Sequence, residues 1–305
     1  MERRIIGTNT SSFGTVCRIG HNSEKFYNSK LYSEIKLKQI KNNSEENILP
    51  AEFIDTIIKS SSEKMNELPD NSIHLMITSP PYNVTKDYDD DLTLSEYLNL
   101  LFNVFSETYR TLVNGGRACI NVANIGRKPY IPLSTYITQM MQQIGFLMRG
   151  EIIWNKGAGA GTSMAWGSWQ SASNPVLRDV HEYILIFSKG EFKRTVAVKN
   201  KEKNNKENTI TKEQFMEYTK SVWNMKTESA KRIGHPAPFP VELPYRLIQL
   251  YSFKNDIILD PFMGSGSTAI AAINANRNYI GYEINQEYID LANNRIEQNS
   301  NNMFY

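Results

Sequence analysis

Residues 73–83 read Ile73-His74-Leu75-Met76-Ile77-Thr78-Ser79-Pro80-Pro81-Tyr82-Asn83. An apolar run of strand length ends here in a turn with two prolines, which hold φ at about −65° and carry no N–H. The backbone beyond Ile77 is therefore stiff and rich in acceptors. It sets the Ser79 hydroxyl and the Pro80 carbonyl beside the flat ring of Tyr82. Two acceptors next to a ring suit a planar, amine-bearing group such as a nucleobase. The plain alternative is a Pro-Pro turn that closes a strand, with Tyr82 packed on the core; the stretch alone does not separate the two.

Outward from this stretch, strand and helix patterns alternate. Phe53 to Ile58 reads as a short strand and Ser62 to Leu68 as a turn or two of helix. Beyond the prolines, Asp89-Asp90-Asp91 is a solvated acidic run. Apolar residues at 94, 97, 98, 101, 102, 105, 109 and 112 predict a helix over Leu92–Val113, with Thr93 or Ser95 as N-cap and Gly115-Gly116 as its end. Strands are expected at Arg117–Val122, Phe146–Trp154, Val180–Phe187, Asp256–Leu259 and Tyr279–Tyr282. Helices are expected at Leu133–Ile144, Glu242–Tyr251, Thr268–Asn274 and Gln286–Gln298. Strands interleaved with helices argue for an α/β fold with a parallel, helix-covered sheet, whose ligand crevices lie at the carboxyl ends of its strands.

The 305 residues, 40% apolar and 22% charged, suffice for one large domain with a full core. No run reaches the ~18 apolar residues of a membrane span, so no membrane partner is expected. Cys17 and Cys119 are far apart with no CxxC, which argues against a zinc site or a disulfide framework and for a reducing, cytoplasmic setting. Residues 1–50 form a polar N-terminal arm, in which Phe26, Tyr27 and Tyr32 favour packing on the main domain over substrate contact. Residues 155–175, with Gly157, Gly159, Gly161, Trp166 and Trp169, read as a long mobile loop, of a kind that is either functional or disordered. Net charge is only +2, so a polyanion must be met by a local patch. Residues 189–232, with 12 Lys/Arg against 6 Asp/Glu, read either as such a polyanion-facing element or as a solvated, partly disordered insert. This basic insert divides the regular part of the chain into halves at 51–188 and 233–305.

A second motif, Asp260-Pro261-Phe262-Met263-Gly264-Ser265-Gly266-Ser267-Thr268, follows the strand Ile257-Ile258-Leu259 and opens a helix. Its glycines allow a tight turn and close approach of a ligand to the backbone. No Lys follows, so it is not a P-loop, and Ala269 makes it an imperfect GxGxxG. Glu283 closes the next strand, 23 residues after Asp260, near the ~20-residue spacing at which a carboxylate meets ribose hydroxyls. A nucleoside cofactor without pyrophosphate fits this better than NAD or ATP, and S-adenosylmethionine is the candidate.

Thr78-Ser79-Pro80-Pro81-Tyr82 followed by Asp260 to Thr268 resembles the beta group of amino-methylating DNA methyltransferases, in which the catalytic motif precedes the cofactor motif. The resemblance runs from about residue 54 to 297 and includes His235-Pro236-Ala237-Pro238-Phe239-Pro240, similar to the segment covering the cofactor. It implies a seven-stranded, mostly parallel sheet with helices on both faces, Rossmann-like and circularly permuted. It also implies that Ser79, Pro80, Pro81 and Tyr82 are catalytic, with Tyr82 stacked on a base rotated out of duplex DNA. Asp260, Pro261, Phe262, Gly264, Ser265, Gly266, Ser267 and Thr268 would wrap S-adenosylmethionine, Phe239 would pack on it, and Glu283 would bind its ribose. Double-stranded DNA is the implied partner; a cognate restriction endonuclease and a homodimer are left open.

In one place the chain departs from that pattern. Where family members often carry Gly-Asp near the cofactor adenine, this chain has Ile57-Ile58-Lys59-Ser60-Ser61-Ser62, so the serines are not counted in the site. A serine at the first motif position is associated in the family with cytosine N4 more often than with adenine N6, and N4 is the expected target. Ring-carbon methylation would need a Pro-Cys nucleophile, whereas Cys17 follows Val16 and Cys119 follows Ala118. Methylation of a protein amide or RNA, and a non-catalytic DNA-binding relative, are the remaining alternatives. The basic 189–232 insert is expected to recognise the DNA sequence, with Arg178, Lys193, Arg194 and Arg232 as candidate contacts.

Overall fold

The apolar run at 73–77 forms β2 (Ile73–Thr78), which lies near the middle of one large sheet. The computed structural model describes residues 28–33, 45–82, 92–157, 167–194, 206–229, 233–234 and 238–302. Asn83, Asp89–Asp91, Gly159, Gly161, Trp166, Arg232 and His235–Ala237 of the sequence reading lie outside these, as do Phe26 and Tyr27. Two compact units divide the chain at residue 40. Among the described residues the first contributes a helical turn, Lys30–Ser33, and everything below concerns the second.

The other strands are β1 (Thr56–Lys59), β3 (Leu112–Val122), β6 (Phe146–Asn155), β7 (His181–Lys189), β8 (Val222–Asn224), β9 (Ile257–Asp260) and β10 (Asn278–Glu283). Their order across the sheet is β1-β10-β9-β2-β3-β7-β6-β8. All neighbours run parallel except β7, which is antiparallel to both β3 and β6. The two-residue strands β4 (Ile125–Gly126) and β5 (Tyr130–Ile131) form a separate hairpin. The helices are α1 (Leu94–Thr111), α2 (Leu133–Ile144), α3 (Lys212–Tyr218), α4 (Glu242–Tyr251), α5 (Ser267–Asn274) and α6 (Gln286–Asn302).

Strands buried on both faces alternate between two cores. Met76, Leu259, Ile280 and Leu185 join α1 and α2 on one side. Leu75, Ile77, Ile258 and Ile186 join α4 and α5 on the other. The expected mostly parallel α/β sheet is present, with eight strands rather than seven. The additional strand is β8, in the middle of the basic insert, where Trp223 is fully buried. That tryptophan serves the core and not a nucleic acid.

Other local expectations shift for identifiable reasons. Ser62–Leu68 is a run of turns, because α1 supplies the partners a helix would otherwise provide. The Glu107 carboxylate accepts from the Met65 amide at 2.9 Å, and Arg110 donates to the Met65 and Leu68 carbonyls at 2.8 Å each. The first strand starts only at Thr56, after a 3-10 turn (Ala51–Phe53) and Asp55 at a φ of 58°. Thr93 is the N-cap of α1, in a capping box with Glu96. The helix stops at Thr111, and Gly115-Gly116 lie within β3. What closes α1 is the buried ammonium of Lys189, which donates to the Arg110 and Leu112 carbonyls and to Asn71 Oδ1 at 3.0, 2.6 and 2.8 Å.

The amino edge of the sheet also fixes the start of the basic insert. Asp256, just before β9, pairs with Arg194 and Lys206, and both reach Glu46 as well. His74 Nδ1 accepts from the Ile257 amide at 2.8 Å beside them. Arg194, a candidate DNA contact by sequence, is a buried structural cation.

Burial pulls the Lys189 ammonium down to about 8. Between about pH 8 and 10 the unfolded chain therefore binds more protons at this lysine than the folded one, so stability rises with pH in that window. The unfolding free energy from urea titrations is expected to rise there by roughly 1–3 kcal/mol. The Lys189→Met variant is expected to lack that rise.

Candidate active site

β2 and β9 lie side by side with Leu75 opposite Ile258 and Met76 opposite Leu259, so their carboxyl ends finish together. From β2 the chain proceeds toward β3, and from β9 toward β10, which makes this seam the topological switch point of the sheet. The Thr78 hydroxyl donates to Asp260 Oδ1 at 2.7 Å across the seam. Asp260 Oδ2 accepts the Thr268 hydroxyl at 2.6 Å, and Oδ1 also accepts the Phe262 amide at 3.1 Å. Burial pushes the Asp260 carboxyl up to about 7, and the two threonine hydroxyls and the amide only partly counter it. This one fully buried side chain ties the two sequence motifs together.

The glycine turn is shaped by what surrounds it. Gly266 has a φ of 79°, and a Cβ there would stand 3.0 Å from the Ala292 Cβ on α6. Only glycine meets both conditions without strain. Glu283, at the end of β10, collects three amides. Oε2 accepts Gly264 N, and Oε1 accepts Ile284 N and Asn285 N, each at 2.9 Å.

These elements enclose a cavity of about 490 Å³, within the ~300–1,000 Å³ range of small-molecule sites. Of the residues expected from sequence, Ser79, Pro80, Pro81, Tyr82, Phe239, Pro261, Phe262, Gly264, Ser265, Ser267 and Glu283 line it. Asp260, Gly266 and Thr268 stand behind the wall and hold the turn. The sequence reading left out Ser60, Ser61 and Ser62, which also line the cavity, because the expected acid was absent. Their position follows from pairing, since Lys59 lies opposite Glu283 and the chain runs straight on into the serines. Tyr288, on the first turn of α6, is a further wall residue.

The lining chemistry discriminates among nucleoside ligands. Phe239, Phe262 and Ile284 give apolar surface for a ring, hydroxyls and amides give hydrogen bonds, and Glu283 is the one charged side chain among the lining residues. With no Lys, Arg or His among the described lining residues, these offer a pyrophosphate no counter-charge, whereas they accommodate a cationic sulfonium nucleoside.

Past Ser79 and Tyr82, away from the cavity, the ends of β3, β6 and β7 bring in a polar cluster. The Tyr82 hydroxyl donates to Glu182 Oε2 at 3.3 Å, lies 3.4 Å from Ser79 Oγ and accepts the Ala123 amide at 3.3 Å. Asn121 Nδ2 donates to Glu182 Oε2 and, at 3.5 Å, to Ser79 Oγ. Lys156 pairs with Glu182 Oε1. Burial, then the Glu182 charge, raises the Tyr82 phenol well above its ordinary value, so it stays protonated. Tyr97 fixes the other side of the turn by donating to the Pro81 carbonyl at 2.7 Å. Glu182 was not anticipated from sequence. Strand parity places it on the face of the buried Ile184 and Ile186, and a carboxylate on such a face is the signal that could have found it.

A doubly wound sheet with a cation-accepting nucleoside cavity next to an acceptor-rich proline turn defines the methyltransferase class. Within that class, the profile of the N6/N4 family described as DNA methylase matches residues 73–294, and the chain belongs to that family. It is 32% identical over 277 residues to the Type II methyltransferase M.MjaI of Methanocaldococcus jannaschii, covering 79% of this chain and 90% of that protein. M.MthZI of Methanothermobacter thermautotrophicus is 33% identical over 268 residues, covering 78% and 75%. A DNA modification methylase of Thermus thermophilus, TTHA0409, solved with S-adenosyl-L-methionine, superposes with a TM-score of 0.62 at 28% identity, covering 80% and 93%. The cytosine-N4-specific PvuII DNA methyltransferase shares the fold at a TM-score of 0.62 and 17% identity, covering 81% of this chain and 90% of its own. The protein is thus a DNA methyltransferase that uses S-adenosylmethionine.

Removing the Glu283 carboxylate leaves three amides of the turn without their acceptor. Glu283→Ala is expected to weaken S-adenosylmethionine binding by about tenfold or more in calorimetric titration. Glu283→Gln, which keeps one acceptor, is expected to fall between Glu283→Ala and the wild type.

Proposed function

We propose that this protein transfers the methyl group of S-adenosylmethionine to the exocyclic N4 amine of cytosine in duplex DNA. The observation that carries the choice of base is the group at the first position of the proline turn, a neutral hydroxyl. Ser79 lines the cavity, and its Oγ stands within hydrogen-bond range of the Tyr82–Asn121 cluster. The bound cofactor supplies an electrophilic methyl on a positively charged sulfur. Ser79 Oγ and the Pro80 carbonyl accept the two N–H bonds of the amine, favouring a more tetrahedral nitrogen whose lone pair points at the cofactor. Tyr82 offers its ring to a base rotated out of the helix. Phe239, Phe262 and the Gly264–Ser267 turn orient the cofactor, with Glu283 and the Ser60–Ser62 hydroxyls toward its nucleoside. Cys119 is fully buried and burial raises its thiol, so it offers no thiolate for ring-carbon attack.

Recognition of the DNA belongs at the carboxyl edge, where the cavity lies. The described flanks of 195–205 lie at the opposite edge, on Asp256. Within 189–232 the stretch that reaches the cavity edge is the one following β8, since Asn224 pairs with Asn155. The β4–β5 hairpin and residues 167–180 reach the same edge and are joined by the Arg127–Asp179 ion pair. They expose Trp169 (63%) and Leu177 (84%) beside Arg127, Lys128 and Arg178. Basic and aromatic groups together suit an unstacked strand. The relatives named Type II methyltransferases support a role as the modification half of a restriction–modification pair.

Digesting methylated DNA to nucleosides is expected to release N4-methylcytosine in mass spectra; N6-methyladenine would overturn the choice of base. Tyr82→Ala is expected to lower turnover through lost stacking worth ~1–3 kcal/mol. Unchanged turnover and unchanged affinity for an unpaired target would count against the stacking role.

A further inference from the structure

Glu182 sits outside the cavity wall, is buried, and belongs to neither sequence motif. Its carboxylate nevertheless contacts three groups around the proline turn. We infer that Glu182 is a positioning residue that sets the direction of the Ser79 hydroxyl, so that an oxygen lone pair faces the target amine. The inference rests on the amino-methylation reading above and assigns it a residue from a different strand.

Counting hydrogens through the cluster leads to this assignment. The Lys156 ammonium meets Oε1 of the Glu182 carboxylate, and Oε2 accepts from both Tyr82 and Asn121. The single Tyr82 hydroxyl proton is then committed to Glu182, and the Tyr82 oxygen can only accept from its other neighbours. One of these is the Ala123 amide. The other is Ser79, whose Oγ lies 3.4 Å away and must direct its own single proton toward Tyr82. One lone pair of Ser79 then receives Asn121 Nδ2, which leaves the other for a group in the cavity that Ser79 lines.

Asn121 supports the same polarity. Its Nδ2 serves both Glu182 and Ser79, while its buried Oδ1 has no hydrogen-bond partner. Leaving a buried acceptor orphaned is costly, so something must hold the amide this way round. Turning it over would set that oxygen against the carboxylate, and the charge on Glu182 therefore keeps Nδ2 toward Ser79. Lys156 completes the arrangement by meeting Oε1. Without the charge, Tyr82 is free to donate to Ser79. The serine proton is then free to turn into the cavity, where it would oppose the amine N–H.

The titratable groups facing Glu182 among the described residues are Lys156 beyond β6 and Tyr82 on the turn. The test is the Glu182→Gln variant of the full chain. The readouts are single-turnover methyl transfer from radiolabelled S-adenosylmethionine to DNA across pH, cofactor affinity by calorimetry, and thermal stability. The expected result is a transfer rate lowered about 100-fold with cofactor affinity and Tm unchanged. Glu182→Asp should recover part of the rate. A Glu182→Gln enzyme with the wild-type rate overturns the inference alone. So does a loss of cofactor affinity and Tm in step with rate, which would mark a structural role. A wild-type chain that methylates no DNA overturns the underlying reading and the inference with it.

Discussion

The hydrogen-bonded knot of Thr78, Asp260 and Thr268 is the constraint on which the rest of the site depends. It joins residues 182 positions apart in the chain at the one seam where two oppositely wound halves meet. A carboxyl group with no exposure is expensive to bury, and this one is tolerated because two hydroxyls and an amide satisfy it. By fixing the ends of β2 and β9 to each other, it fixes the spacing between the proline turn and the glycine turn. In the reaction proposed above, that spacing sets the distance between cofactor and target amine, which is a positioning effect.

The two edges of the sheet have divided labour. At the amino edge, buried charges of Asp256, Arg194 and Lys206 and the Lys189 ammonium satisfy one another and the end of α1. At the carboxyl edge, polar groups are held by the backbone but turned toward a cavity. Two of the cations counted in the basic insert neutralise a buried aspartate.

Most of the fold was legible because it rests on local signals. Apolar period, the Thr93 N-cap and Gly145 after α2 are properties of short windows, and they put the main strands and helices in place. The misplaced pieces each depended on a distant partner. Ser62–Leu68 lacks a helix because Arg110 and Glu107 serve its backbone, and β8 exists because β6 offers it an edge. In the site, the motif residues were legible as chemistry but not as geometry. Asp260 and Thr268 turned out to hold the wall rather than form it, while Ser60–Ser62 form it without matching a motif. Strand parity could have singled out Glu182, but its contact with the proline turn is visible only once strand pairing has set Trp154 beside it.

The double clamp of Arg194 and Lys206 on Asp256 has an evolutionary consequence. It pins Arg194 and Lys206, which flank residues 195–205 in the sequence, to one aspartate at the amino edge of the sheet. Closing a longer loop between fixed ends costs only about 0.6 kcal/mol per doubling of its length. Insertions at this place would therefore be nearly neutral for stability and leave the catalytic edge undisturbed. It is the position at which such a chain can acquire an appended module, natural or engineered, without renegotiating its active site.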